Sequence, residues 1–323
     1  MLLLSLFHQT WKVLWKNPAL WVFGLFLAIL GQGGVSEVVL RAISTFYRSP
    51  RGAQVFDVVL ERDFWMIGSF TRADLPMTLL KGVGGLVALV GILLSMAAIP
   101  LAVVALEKRR RALKIPELLR DALANFWKVF GVFILSSAAF ILLLVPLVLV
   151  LRASTDPSIR ANVGSGMLVA LLAGASAVVF FLALYATNAI VLGGLSLGHG
   201  IANAWNIFRR HWVMSVECGL VFFLLNILAA QVTDALIRPI LAIAYLLTLF
   251  LIGRGYSTVA YVMFILLGVV LVTIVWVLLV SFYAAFQTIF WTVLYRQLSI
   301  RMTFPSRLHL FTALKGAPQA VGT

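Results

Sequence analysis

The sequence predicts an all-α fold, a polytopic transmembrane helix bundle. Three observations carry this. Of 323 residues, 63% are apolar and only 11% charged, with a mean hydropathy of +1.07. Soluble domains run about 45–50% apolar and about 25% charged, so a soluble fold of this length has no interior large enough. The apolar residues fall in runs long enough for helices that cross about 30 Å of hydrocarbon. The cations collect at alternate ends of those runs.

Six spans are predicted, near 18–33, 79–106, 129–151, 167–197, 213–232 and 258–295, as one integral membrane domain over 1–323. The first starts at Pro18, where a missing N–H costs nothing. It has cations before it but no small-residue cleavage site after it, which predicts an uncleaved span rather than a signal peptide. Pro100 and Pro146 predict kinks within spans. Residues 239–252, "PILAIAYLLTLFLI", are short for a crossing and suit a re-entrant or interfacial helix. A split of 258–295 into two crossings would give eight spans. No Gly, Pro or polar turn interrupts "VTIVWVLLVSFYAAF", which disfavours it.

With both termini cytoplasmic, the inner segments hold fifteen cations and the outer ones ten, while seven carboxylates lie outside against three inside. That bias assigns the orientation of a multi-pass membrane protein. It also explains the net charge of +14. Lys108, Arg109, Arg110 and Arg111 follow the second span and are expected to contact anionic headgroups, at about 1 kcal/mol per cation. Nucleic acid is excluded as a partner. The aromatics near these cations, Phe126, Trp127 and Phe130, lie on the apolar face of a helix entering the membrane, not on a basic stacking surface.

Amphipathic helices precede alternate spans. The first sets Leu3, Phe7, Trp11, Leu14 and Trp15 against Ser5, His8, Gln9, Lys12 and Lys16. The second sets Leu119, Ala122, Leu123, Phe126 and Trp127 against Glu117, Arg120, Asp121, Asn125 and Lys128. The third sets Ile201, Ala204, Trp205, Phe208 and Trp212 against Asn203, Asn206, Arg209 and Arg210. "Interfacial helix, span out, span back" thus occurs three times, either as an ancient repeat or as what every inner-facing loop of a membrane protein looks like. The outer segment 34–75 predicts short helices on the outer leaflet, since some 40 residues cannot easily form a separate core.

His8, His199, His211 and His309 have no second ligand at i+3 or i+4, and there is no H-E-x-x-H or C-x-x-C; "GLSLG" at 194–198 has the spacing of G-x-S-x-G but follows an apolar helical run, not the strand that a nucleophile elbow needs. No metal or cofactor is expected. Asp57, Glu61 and Asp63 form a solvated charged face. Cys218 reads as a buried, inert thiol. Gly194 and Gly198, and Gly166, Ala170 and Gly174, predict close helix packing. The intramembrane polar candidates are Glu217, Asn188 and Asn226, with Thr187 and Gln287 near them. A carboxylate at that depth needs a partner or a cavity. Arg209, Arg210 or Lys128 would be the partner within reach.

"WKVLWKNPALWVFGL", "LLRDALANFWKVFGVFIL", "NAWNIFRRHWVMSV" and "FYAAFQTIFWTVLYRQL" follow one another in an order that resembles a broad group of prokaryotic six-span proteins. The group includes the membrane region beside some glycerophosphodiester phosphodiesterases. There, a separate soluble barrel carries the paired His and acidic catalytic residues. This chain has neither, so the resemblance implies a membrane domain and carries over no catalytic residue. The expected function is non-enzymatic, through lipid or protein partners. The alternative is a transporter or lipid-handling protein with a cavity near Glu217.

Overall fold

The structure, a computed structural model, describes residues 2–29, 75–109, 114–153, 163–254 and 258–300. The expectations for the outer segment up to residue 74 and for Arg110, Arg111 and His309 fall outside these. The described chain is eight helices: α1 (Leu2–Lys16), α2 (Ala19–Ile29), α3 (Leu75–Arg109), α4 (Ile115–Ala124), α5 (Phe126–Ala153), α6 (Val163–Gly193), α7 (Leu197–Gly253) and α8 (Thr258–Ile300). Five of them, α3 and α5 to α8, are long and apolar enough to cross a membrane, and α2 is a shorter apolar helix.

Residues 239–252 do not form a helix of their own: they continue α7, which runs through Pro239 to Gly253. One lost hydrogen bond at Pro239 does not end a helix flanked by good formers such as Ala235, Leu236, Leu241 and Ala242. α8 is unbroken over 43 residues, as "VTIVWVLLVSFYAAF" predicts.

Three joints organise the chain. At Asn17 the backbone N–H bonds to Leu14 O at 3.2 Å, and the side-chain amide donates to Val13 O at 2.8 Å. At Asn125 the N–H bonds to Ala122 O and the amide donates to Asp121 O, both at 3.1 Å. The same side chain thus satisfies the same i−4 carbonyl where α1 gives way to α2 and α4 to α5. The third joint is His211, where φ −128° and ψ 28° break the helical path inside α7. Counted from the joints, the registers agree. Seven residues before lie Thr10, Leu118 and Ala204, and seven after lie Gly24, Val132 and Cys218, all buried.

Packing follows this threefold order. The returning helices α3, α6 and α8 touch one another at the centre. Each outgoing helix sits between its own return and the preceding one: α2 between α3 and α8, α5 between α6 and α3, and α7 between α8 and α6. Each interfacial helix lies on the preceding return. α4 packs on α3 and α1 on α8. The start of α7 packs on α6 through Gly200 against Ile190, and through Phe208 stacked on Phe181 at 5.7 Å. α1 therefore closes the ring.

The interfacial helices bury part of each predicted apolar face, Leu14, Ala122 and Ala204 among it, and turn its indoles outward. Their buried stripes are Leu6, Thr10 and Leu14; Leu118 and Ala122; and Ala204, Ile207 and His211. Trp11, Trp15, Leu123, Trp127, Trp205 and Trp212 face outward, Trp127 with 76% exposure. Compact side chains let helices approach, while an indole serves a membrane interface better than a core. The glycine expectation is corrected likewise. Gly174, Gly194 and Gly198 have open space around them, and Gly194 takes φ +67° in the turn after α6. Close approach occurs at Gly24, where an added Cβ would lie 2.1 Å from Ser281 O, and at Gly91 against the Phe26 ring.

Gly24→Val therefore forces α2 off α8 and should lower stability by about 1–3 kcal/mol or more, read as a fall in thermal midpoint in detergent. Gly198→Ala, in open space, should leave it unchanged or slightly raised.

Candidate functional site

No hydrogen bond or ion pair joins Asn188, Glu217 and Asn226 to one another. Asn188, in α6, is 4% exposed. Its amide donates to Leu184 O at 2.9 Å, and its Oδ1 has no partner. Glu217 is half-buried on α7, with Oε1 enclosed and unpartnered. Asn226 follows on the same helix, about 14 Å further along its axis. No ion pair joins Glu217 to Arg209, Arg210 or Lys128, so the expected pairing is absent. Six residues past the joint put Glu217 about 9 Å beyond it. Thr187 bonds its own helix at Ala183 O, and Gln287 keeps an unpartnered Oε1.

The developed polar network lies at the joint end instead. Gln9 donates to Glu107 Oε1 at 2.9 Å, and Glu107 also forms an ion pair with Arg296. This ties α1, α3 and α8 together. Asn203 donates to Tyr295 Oη at 3.2 Å, tying α7 to α8. Ser215 Oγ donates to His211 O at 3.1 Å, and so accepts from Tyr185 Oη at 2.8 Å. That pair holds the third joint against α6. Gln9 and Asn203 stand eight residues before Asn17 and His211, the same register in two units. Sequence reading had placed both on solvated faces. The signal was the offset from the joint, which becomes meaningful only once the joints are known. Glu107 and Arg296, far apart in sequence, carried no signal.

Two clefts lie at this same end. One, of about 230 Å³, is bounded by Asn203, Asn206 and Arg210 of α7 and Leu298 and Ser299 of α8. The other is a shallow depression at the start of α4, around Lys114, Pro116 and Glu117. Neither is lined by Glu217, Asn188 or Asn226. Lys108 and Arg109 end α3 beside the Glu107 network. Among the described residues no group of three or more His, Cys, Asp or Glu could hold a metal ion. Cys218 is buried and free.

No known protein family, curated protein or solved structure matches the chain.

Two outcomes follow. In a double-mutant cycle of Glu107→Gln and Arg296→Gln, the coupling should be about 1–2 kcal/mol, since the pair is only partly exposed. A value near zero would make it a surface contact. Glu217→Gln should change thermal stability by less than about 0.5 kcal/mol, because one carboxylate oxygen has nothing to lose. A larger loss would reveal a partner.

Proposed function

We propose that the chain is a six-span, non-enzymatic protein of a prokaryotic plasma membrane, with both termini cytoplasmic, that works by binding lipid and protein partners. α2 would begin the first span, since it holds the place in the ring that α5 and α7 hold in theirs. The resemblance to membrane domains that accompany separate enzymes is consistent with this reading.

The supporting observation is the length of the last two helices. Past His211, about 20 residues of α7 cover about 30 Å of hydrocarbon. Asp234 and Arg238 then mark the far interface. The helix continues to Gly253, and α8 returns from Thr258, with Gly268 closely packed on Ala244. Ile243, Leu246, Phe250, Met263, Leu267 and Leu271 are exposed on this extension. An apolar helix pair standing beyond the bilayer needs an apolar cover.

The second reading, a transporter or lipid-handling protein, draws on the unpartnered oxygens of Glu217, Asn188 and Gln287. Such groups favour a polar ligand or water.

Extraction into native lipid nanodiscs, with mass spectrometry of everything that co-purifies, separates the two. A stoichiometric protein that is lost when residues 240–264 are replaced by a short Gly/Ser linker supports the partner reading. A bound solute with no protein, released by Glu217→Gln, would sink it in favour of transport.

A further inference from the structure

The cleft between the start of α7 and the end of α8 is a cluster of donors without an anion. Asn203 and Asn206 bring amides and Arg210 a guanidinium, the Ser299 hydroxyl is already donated to Arg296 O at 2.9 Å, His211 completes the polar lining, and no carboxylate lines it. The first unit shows what such a cluster wants. There the amide at the equivalent register, Gln9, donates to a carboxylate, Glu107, which the chain itself supplies. In the third unit Asn203 meets the neutral Tyr295 hydroxyl instead, leaving its second amide hydrogen available. Lys12 and Lys16 of the first unit correspond in register to Asn206 and Arg210.

We propose that this cleft binds a phosphate group, supplied by an anionic phospholipid of the leaflet on the joint side. A phosphate oxygen pair suits the planar guanidinium of Arg210, and the amides take the remaining oxygens. Lipid is favoured over free phosphate by place and lining. The cleft reaches the joint, since His211 is part of its lining, Ile207 and Leu298 give it an apolar side, and Trp205 and Trp212 on the same helix expose their indoles. The inference deepens the lipid half of the proposed function and depends on that membrane placement.

The test uses the full chain in nanodiscs of mixed phosphatidylglycerol and phosphatidylcholine, with lipid retention read by native mass spectrometry. Wild type should retain phosphatidylglycerol selectively. Arg210→Gln should cut that retention about tenfold, the scale of one charge-assisted contact. Arg210→Lys should restore part of it. Arg209→Gln, an adjacent cation that does not line the cleft, should leave it unchanged. Circular dichroism and size exclusion check that each variant is folded, and Asn206→Leu supplies an independent second variant. Equal losses for Arg209→Gln and Arg210→Gln would overturn the site in favour of a diffuse basic surface. No selectivity in wild type would overturn it outright. Displacement of the lipid by millimolar inorganic phosphate would overturn the lipid assignment in favour of a soluble phosphate. A protein captured by the far hairpin alongside an empty cleft would sink only this inference and leave the partner reading standing.

Discussion

Between Ala284 and Tyr295, α8 has no face to the outside. An amphipathic helix can settle against one neighbour, but a helix buried all round must be enclosed by several. The enclosing set is α1, α2, α3, α6 and α7. Their side chains interlock around it: Phe222 meets Phe290 at 4.6 Å, Phe7 meets Phe290 at 5.0 Å, and Phe181 meets Trp291 at 5.6 Å. Two of the polar residues on this helix are satisfied within it. Thr288 and Thr292 return their hydroxyls to Ala284 O and Thr288 O, both at 2.9 Å. In a bilayer, where lipid is as apolar as leucine, such packing and internal hydrogen bonding replace the hydrophobic drive of water-soluble cores.

The threefold order turns this centre into a rule for the whole chain. A joint sets the angle between an interfacial helix and its outgoing span. Fixed offsets from the joint then decide which residue is buried and which is polar. Within this rule the units differ in how they treat the polar register. The first unit neutralises its own donors with Glu107, and the third keeps its donors open.

Much of this was legible in the sequence, and the missing part has a physical cause. The apolar runs located the helices, and the three amphipathic stretches located the joints to within a residue or two. Composition cannot say which half of an amphipathic face points at protein. Leu14 and Trp15, like Ala204 and Trp205, share one predicted apolar face, yet Leu14 and Ala204 are buried and the two indoles are exposed. Nor can it say which glycine is a contact. Gly24 sits in an ordinary apolar run, and only the position of α8 makes it irreplaceable. Residues 239–252 read as a separate short segment because their apolar run is too short to cross alone, yet the helix before them simply continues through Pro239. Glu217 stands out in the sequence as a carboxylate within an apolar run, but its surroundings depend on helix rotation, which hydropathy does not encode.

The closing contact has a consequence in time. α2 packs on α8, and α1 lies on it too, although more than 200 residues separate them. During synthesis the first two helices are made long before the helix that covers them. The Gly24 face and the Leu6, Thr10 and Leu14 stripe must stay unsatisfied while the middle hairpins insert. Contacts this distant in sequence form slowly and leave intermediates with exposed packing surfaces. For this protein the vulnerable stage is the interval before α8 arrives, when a half-closed ring can mispair with a neighbour's.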